Sequence, residues 1–238
     1  MIMYKTCEYK DKYFSILGDS VSTFEGVSQP LEHAFYKLDT KLRSKVCLVS
    51  DTWWWKVIAE LGGKLLVNNS ISGSRVTRHP SCEQPTYGCS DERTGALGVD
   101  GNTPDVIMVF MGLNDWSGHA KISSGCKECK TGSAPDLSVF PQAYGVMIDK
   151  LKNNYPTAQI WCFTLPVSTC SSETGFEFTY GEGKWHISEY CKVIKDVATA
   201  KGCKVIDLYG EPFYDSLEGC HPNLEGMQSI AQKVLSKI

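Results

Sequence analysis

The sequence has no run of basic residues, no internal repeat, no linker and no low-complexity tract. Its opening residues, from Met1 to Glu8, form no long apolar stretch. The last absence argues against a signal peptide or a membrane anchor. The lack of a basic run, with a formal net charge of −3, argues against a nucleic-acid surface. The lack of linkers and repeats leaves one domain over residues 1–238 as the expected organisation. What the sequence does have is apolar mass and cysteine. It is 42% hydrophobic with 11% aromatics, enough for a substantial core. Eleven cysteines, an odd count, sit in a chain far longer than a disulfide-stapled secreted scaffold. Cys47, Cys162, Cys191 and Cys203 lie in apolar or helical contexts, as small buried apolar residues do. The expectation is a reducing, cytoplasmic location.

Along the chain, apolar runs alternate with helical patterns. Tyr13 to Leu17 ends in Gly18-Asp19-Ser20 and reads as a buried strand followed by a sharp turn. A polar connection follows, with a short helical turn in the stretch Leu31 to Val49. Thr52 then precedes Trp53-Trp54-Trp55 and an apolar face ending at Gly62-Gly63, a helix with both end signals. Consecutive helical residues point about 100° apart. The tryptophans therefore form no flat sugar-stacking face, and core packing for one or two of them is expected. Lys64 to Asn68 reads as the second strand, Asp91 to Leu97 as a short helix, and Pro104 to Met111 as a strand buried on both faces. A polar loop is read after Gly112-Leu113-Asn114-Asp115-Trp116. A helix from Phe140 to Asn153, a strand from Ala158 to Thr164, a long loop from Leu165 to Gly183, a helix from Trp185 to Lys201, a strand from Cys203 to Leu208 and a helix from Leu224 to Lys237 complete the pattern. Such alternation indicates βαβ units and a parallel sheet covered on both faces. The fold class expected is a three-layer α/β/α sandwich on a flavodoxin-like five-stranded parallel sheet, strand order 2-1-3-4-5. Function in such sheets gathers at the carboxyl ends of the strands. Gly18-Asp19-Ser20, Gly73 and Asn114 all fall there, and His221-Pro222-Asn223 stands just before the last helix.

At these residues the sequence resembles the SGNH hydrolases, also called the GDSL esterase/lipase family. The blocks Gly-Asp-Ser at 18–20, a glycine-bearing turn at Gly73, Gly-Leu-Asn-Asp at 112–115 and His-Pro-Asn at 221–223 occur in order across almost the whole chain. The resemblance implies Ser20 as nucleophile and His221 as base. It assigns the oxyanion to the backbone N–H groups of Ser20 and Gly73 and to the Asn114 amide. These residue types suit acyl transfer. A hydroxyl needs a base to become a good nucleophile, and the developing oxyanion needs uncharged donors aimed at it. Two positions depart from the family pattern. Glu218 stands three residues before His221 where aspartate is usual, with Asp215 as the rival carboxylate and a backbone carbonyl as a further substitute. Ser70 stands where another glycine is frequent. Asp19 and Asp115 are expected to anchor their loops. Arg75 and Trp116, beside the oxyanion residues, are candidate substrate contacts. His79, His119 and His186 carry no assigned role, although His119 is close enough in sequence to Asn114 to line the cleft.

Cys82 and Cys89 lie in the loop after the second strand, and Cys126 and Cys129 in the loop after the third. In the order 2-1-3-4-5 these loops flank the first strand. Four such thiolates suit a structural zinc, against free thiols or two local disulfides. No cofactor is needed for the chemistry itself. The function expected is hydrolysis of carboxylic esters, with short acyl groups on a carbohydrate or other polar scaffold as substrate. Alternatives are a lipid acylhydrolase and a non-catalytic binding module that keeps the fold.

Overall fold

The computed structural model of the chain describes residues 8–28, 33–79, 87–122, 134–169 and 185–238. Five strands form the sheet: β1 (Tyr13–Gly18), β2 (Lys64–Ser70), β3 (Val106–Phe110), β4 (Gln159–Phe163) and β5 (Lys204–Ile206). Their order is β2-β1-β3-β4-β5, and every pairing is parallel, as the alternating pattern predicts. Every residue of β3 is buried, which explains its unbroken apolar run. The register sets Gly18 between Ser70 of β2 and Phe110 of β3. Three strands thus end at one level, and the turns that follow them share a rim.

The helices, among the described residues, are α1 (Leu38–Ser44), α2 (Trp53–Glu60), α3 (Asp91–Gly95), α4 (Leu113–Ser117), α5 (Phe140–Asn154), α6 (Ile187–Ala200) and α7 (Leu224–Lys237). On one face of the sheet α2 packs against α7; α5 packs against both α3 and α6 on the other. Trp53 of α2 meets Phe110 of β3 and Phe163 of β4 edge-on, with centroids 5.3 and 5.5 Å apart. On the opposite face the Ser15 hydroxyl donates to the Leu97 carbonyl just beyond α3 (2.8 Å). Trp53 and Trp54 are fully buried, whereas Trp55 is 39% exposed, as the divergence of neighbouring helical side chains requires. Burying one such indole removes roughly 150–250 Å² from water, a gross gain of about 4–6 kcal/mol before ordering costs.

Two elements differ from the sequence reading. The sequence reading assigns no helix after β3, yet Leu113–Ser117 forms α4, a single turn whose Asn and Asp have weak helix propensity and leave no periodic signal. β2 runs on to Ser70, because Asn69 and Ser70 pair with Leu17 and Gly18. Polar residues at a strand end mask that continuation in the sequence.

Candidate active site

Gly18 is fixed by space. A Cβ there would lie 2.6 Å from Ser70 Oγ and 2.8 Å from Ser22 Cβ. The chain then turns through a short 3₁₀ segment, Ser20–Ser22, capped by Asp19, whose Oδ1 accepts from Val21 N (3.1 Å). Burial pushes the Asp19 carboxyl up to about 7, against that hydrogen bond. This turn holds Ser20, 4% exposed, just past the strand end.

His221 reaches Ser20 from the far end of the chain. Its Nε2 lies 2.8 Å from Ser20 Oγ. Its Nδ1 is in close contact with Glu218 Oε1, and the same oxygen accepts from His221 N (3.2 Å). A carboxylate only accepts, so the proton of the Nδ1 contact sits on the ring and the Nε2 lone pair faces the serine. Asp215 is engaged elsewhere. Its Oδ2 accepts from Asn223 Nδ2 (2.6 Å), and Asn223 caps α7 by accepting from Gly226 N (2.8 Å). A Cβ on Gly226 would lie 1.9 Å from the Asp215 carbonyl oxygen, so Asp215 and the helix start are packed together. Of the two carboxylates, Glu218 is the one in contact with the imidazole.

Phe35 also touches His221. The two rings are stacked, with centroids 3.6 Å apart and planes within 8°. The next residue, Tyr36, is buried and donates its hydroxyl to the Pro222 carbonyl (2.7 Å), which ties the Phe35 segment to the His221 turn. Nothing in the sequence points to Phe35. It lies in an aperiodic stretch, and its partner is 186 residues away.

The opposite wall comes from the turns after β2 and β3. Gly73 is exposed, has φ +76°, and a Cβ added there would meet nothing within 4 Å. The left-handed backbone demands glycine, and the space above it is open to a substrate. Asn114 Nδ2 donates to the Ser74 carbonyl (3.0 Å). Its neighbour Asp115 accepts from Val76 N (2.7 Å), Thr77 N (2.9 Å) and Thr77 Oγ1 (2.7 Å). Burial raises the Asp115 carboxyl to about 6 in spite of these bonds. Asp19 and Asp115 therefore anchor loops, as the sequence reading has it.

Beneath both walls lies Arg93, 3% exposed, which that reading does not single out. Its guanidinium donates to Asn69 Oδ1, the Asn69 and Gly18 carbonyls (both 2.9 Å) and Ser74 Oγ (2.7 Å). One side chain thus braces the ends of β1 and β2 and the residue after Gly73. Burial lowers its pKa to about 9, while the Asp19 charge acts the other way. An arginine in a short polar helix reads as solvated, so no local signal betrays this role.

The remaining candidates are less central. The Arg75 guanidinium lies over Gly118, where a Cβ would be 1.9 Å from Nη2. Trp116 is 7% exposed and belongs to the core, so it offers a substrate little surface. His186 caps α6, His79 is half-buried, and His119 is an exposed turn residue with φ +56°. Cys89 is buried in the core, and burial pushes its thiol up to about 12. Cys82, Cys126 and Cys129 lie outside the described residues. Within those residues, Glu218, Cys220 and His221 bring their donor atoms within 4.8 Å of one another.

A parallel sheet that gathers a serine, an imidazole and a carboxylate at its carboxyl edge has the architecture of a hydrolase. The model of GDSL-like lipase/acylhydrolases matches residues 12–169, and the chain belongs to that family, the SGNH hydrolases. The matched span contains Ser20, Gly73 and Asn114 and stops short of Glu218 and His221. A protein of Bacteroides uniformis described as a GDSL-like lipase shares 31% identity over 96% of this chain and 95% of its own (TM-score 0.71). Its counterpart from Bacteroides ovatus shares 26% identity over 94% and 96% (TM-score 0.71). The fold is also that of a family two carbohydrate esterase from Clostridium thermocellum, at 18% identity over 97% of this chain and 64% of that one (TM-score 0.58). A comparison with curated proteins gives no match. No helix among the described residues is long and apolar enough to cross a membrane.

Proposed function

We propose that this chain is a serine esterase that hydrolyses carboxylic esters through an acyl-enzyme on Ser20. The observation that carries this reading is the 2.8 Å contact of Ser20 Oγ with His221 Nε2, with Glu218 on the other ring nitrogen. As Oγ attacks the ester carbonyl, Nε2 takes its proton, and Glu218 stabilises the imidazolium that forms. The backbone N–H groups of Ser20 and Gly73 and the Asn114 amide donate to the oxyanion. Collapse returns the proton to the departing alcohol. Water, deprotonated by His221, then attacks the acyl-enzyme and releases the acid and free Ser20.

The alcohol portion of the substrate is a carbohydrate or similarly polar scaffold carrying short acyl groups. The polar rim around Gly73 and Asn114 supports this, and so does the shared fold with a carbohydrate esterase. One observation favours a second reading, a lipid acylhydrolase. Leu38 and Leu42 are about 70% exposed on α1, close in sequence to Phe35. The test is hydrolysis of p-nitrophenyl acetate and butyrate, then of acetylated glycans and phospholipids, by the wild type and Ser20→Ala. Glycan turnover abolished in Ser20→Ala supports the first reading and phospholipid turnover the second. A folded Ser20→Ala as fast as the wild type refutes both.

A further inference from the structure

We propose that the Ser20–His221–Glu218 relay contains an inhibitory site for a zinc-class divalent cation, held by Glu218, Cys220 and His221. The functional consequence rests on the esterase reading; the binding does not. The donor atoms of these side chains lie within 4.8 Å of one another. Ligands around a tetrahedral zinc are about 3.3–3.8 Å apart, given bonds of about 2.0–2.3 Å. Glu218 Oε1 and His221 Nδ1 are in contact, closer than two ligands of one ion stand, so an ion seats by parting that pair and drawing in the Cys220 sulfur. Carboxylate, thiolate and imidazole are the donors that zinc and cobalt prefer. Glu218 has 46% of its side chain exposed, which gives the ion a way in and a water its fourth position.

Cys220 is 8% exposed and lies beside the His221 turn. On binding, the thiol releases its proton to solvent and its sulfur bonds the metal. The imidazole bonds through Nδ1, the nitrogen beside Glu218, and its proton moves to Nε2. A protonated Nε2 cannot accept the Ser20 proton, and Glu218 is withdrawn from its partner. One ion thus disables base and relay together.

Protein freed of metal with EDTA is titrated with zinc while p-nitrophenyl acetate hydrolysis is followed. A second titration with cobalt follows thiolate-to-cobalt charge-transfer absorption. The wild type is expected to lose activity and to regain it on EDTA. Cys220→Ala and Cys220→Ser, each against its own metal-free rate, should need more zinc for half-inhibition, by at least the roughly tenfold that loss of a mere supporting partner costs a metal site. Ser20→Ala keeps every ligand and should keep the cobalt band; Ser20→Ala combined with His221→Gln should lose one site's worth of it. That pair tests binding even if the wild type hydrolyses no ester or the Cys220 variants fail to fold. Equal zinc requirements in the wild type and both Cys220 variants, or identical cobalt spectra in the Ser20→Ala pair, would overturn the proposal.

Discussion

The ring of Phe35 lies face to face with the imidazole of His221 at a centroid distance of 3.6 Å. Phe35 N donates to Thr23 Oγ1 (2.8 Å), and that hydroxyl donates to the Ser20 carbonyl (2.8 Å). The residue that packs on the His221 imidazole is thereby tied to the backbone of Ser20. An aromatic face both orients the imidazole and stabilises its cation, with about 0.5–2 kcal/mol available to a cation over a ring. Phe35→Leu is expected to lower kcat about tenfold with KM nearly unchanged, and Phe35→Tyr to restore most of the rate. Steady-state kinetics on a p-nitrophenyl ester decide it. A raised KM with unchanged kcat would make Phe35 a substrate contact instead.

Asn114 is expected to matter more. It donates to the Ser74 carbonyl through Nδ2, which fixes the amide beside the Gly73 turn. Asn114→Ala should cost about 10²–10³-fold in kcat, the usual effect of losing one oxyanion donor. Circular dichroism should show the fold intact, because Asp115 and not Asn114 holds the Val76–Thr77 backbone. A loss of only a few fold would remove Asn114 from the oxyanion site.

Glu218 and Asp215 separate function from stability. Glu218→Gln should lower kcat sharply with little change in melting temperature, since the side chain is 46% exposed and its hydrogen bonds among the described residues go to His221. Asp215→Asn should do the reverse, weakening the bond to Asn223 that steadies the start of α7. Rates and thermal melts of both variants test the division, and full activity in Glu218→Gln would refute it.

The fold was legible because hydrophobic pattern carries it. The unbroken run of β3 and the capped amphipathic α2 and α7 announce themselves locally. Ser20, Gly73, Asn114 and His221 were legible because each follows a strand or precedes a helix within a recognisable block. Phe35 and Arg93 were not. Each acts through partners distant in sequence, and a pattern of neighbours holds no trace of a ring stacked 186 positions away or of a guanidinium buried against a strand end. α4 was hidden for the opposite reason, being too short to show a period.

The buried carboxyls set a pH dependence of stability. Burial holds the Asp19 carboxyl at about 7 and the Asp115 carboxyl at about 6, above the ordinary carboxylate range. The folded state therefore binds more protons than the unfolded one between about pH 4 and 7. Their contribution is fully present below the unfolded value and is lost as pH rises through the folded values. Urea unfolding should accordingly give a larger unfolding free energy at pH 5 than at pH 7. In Asp115→Asn that difference should shrink, and an undiminished difference would show that Asp115 is ionised across this range.

In the proposed reaction Ser20 carries the acyl group. Intact-protein mass spectrometry of enzyme quenched in acid within seconds of mixing with p-nitrophenyl butyrate tests it, with peptide mapping of the adduct. One butyryl increment is expected on the Ser20 peptide, absent in Ser20→Ala and formed at a much reduced rate in His221→Gln. Turnover of the ester with the label on another residue, or undiminished turnover by Ser20→Ala, would contradict it.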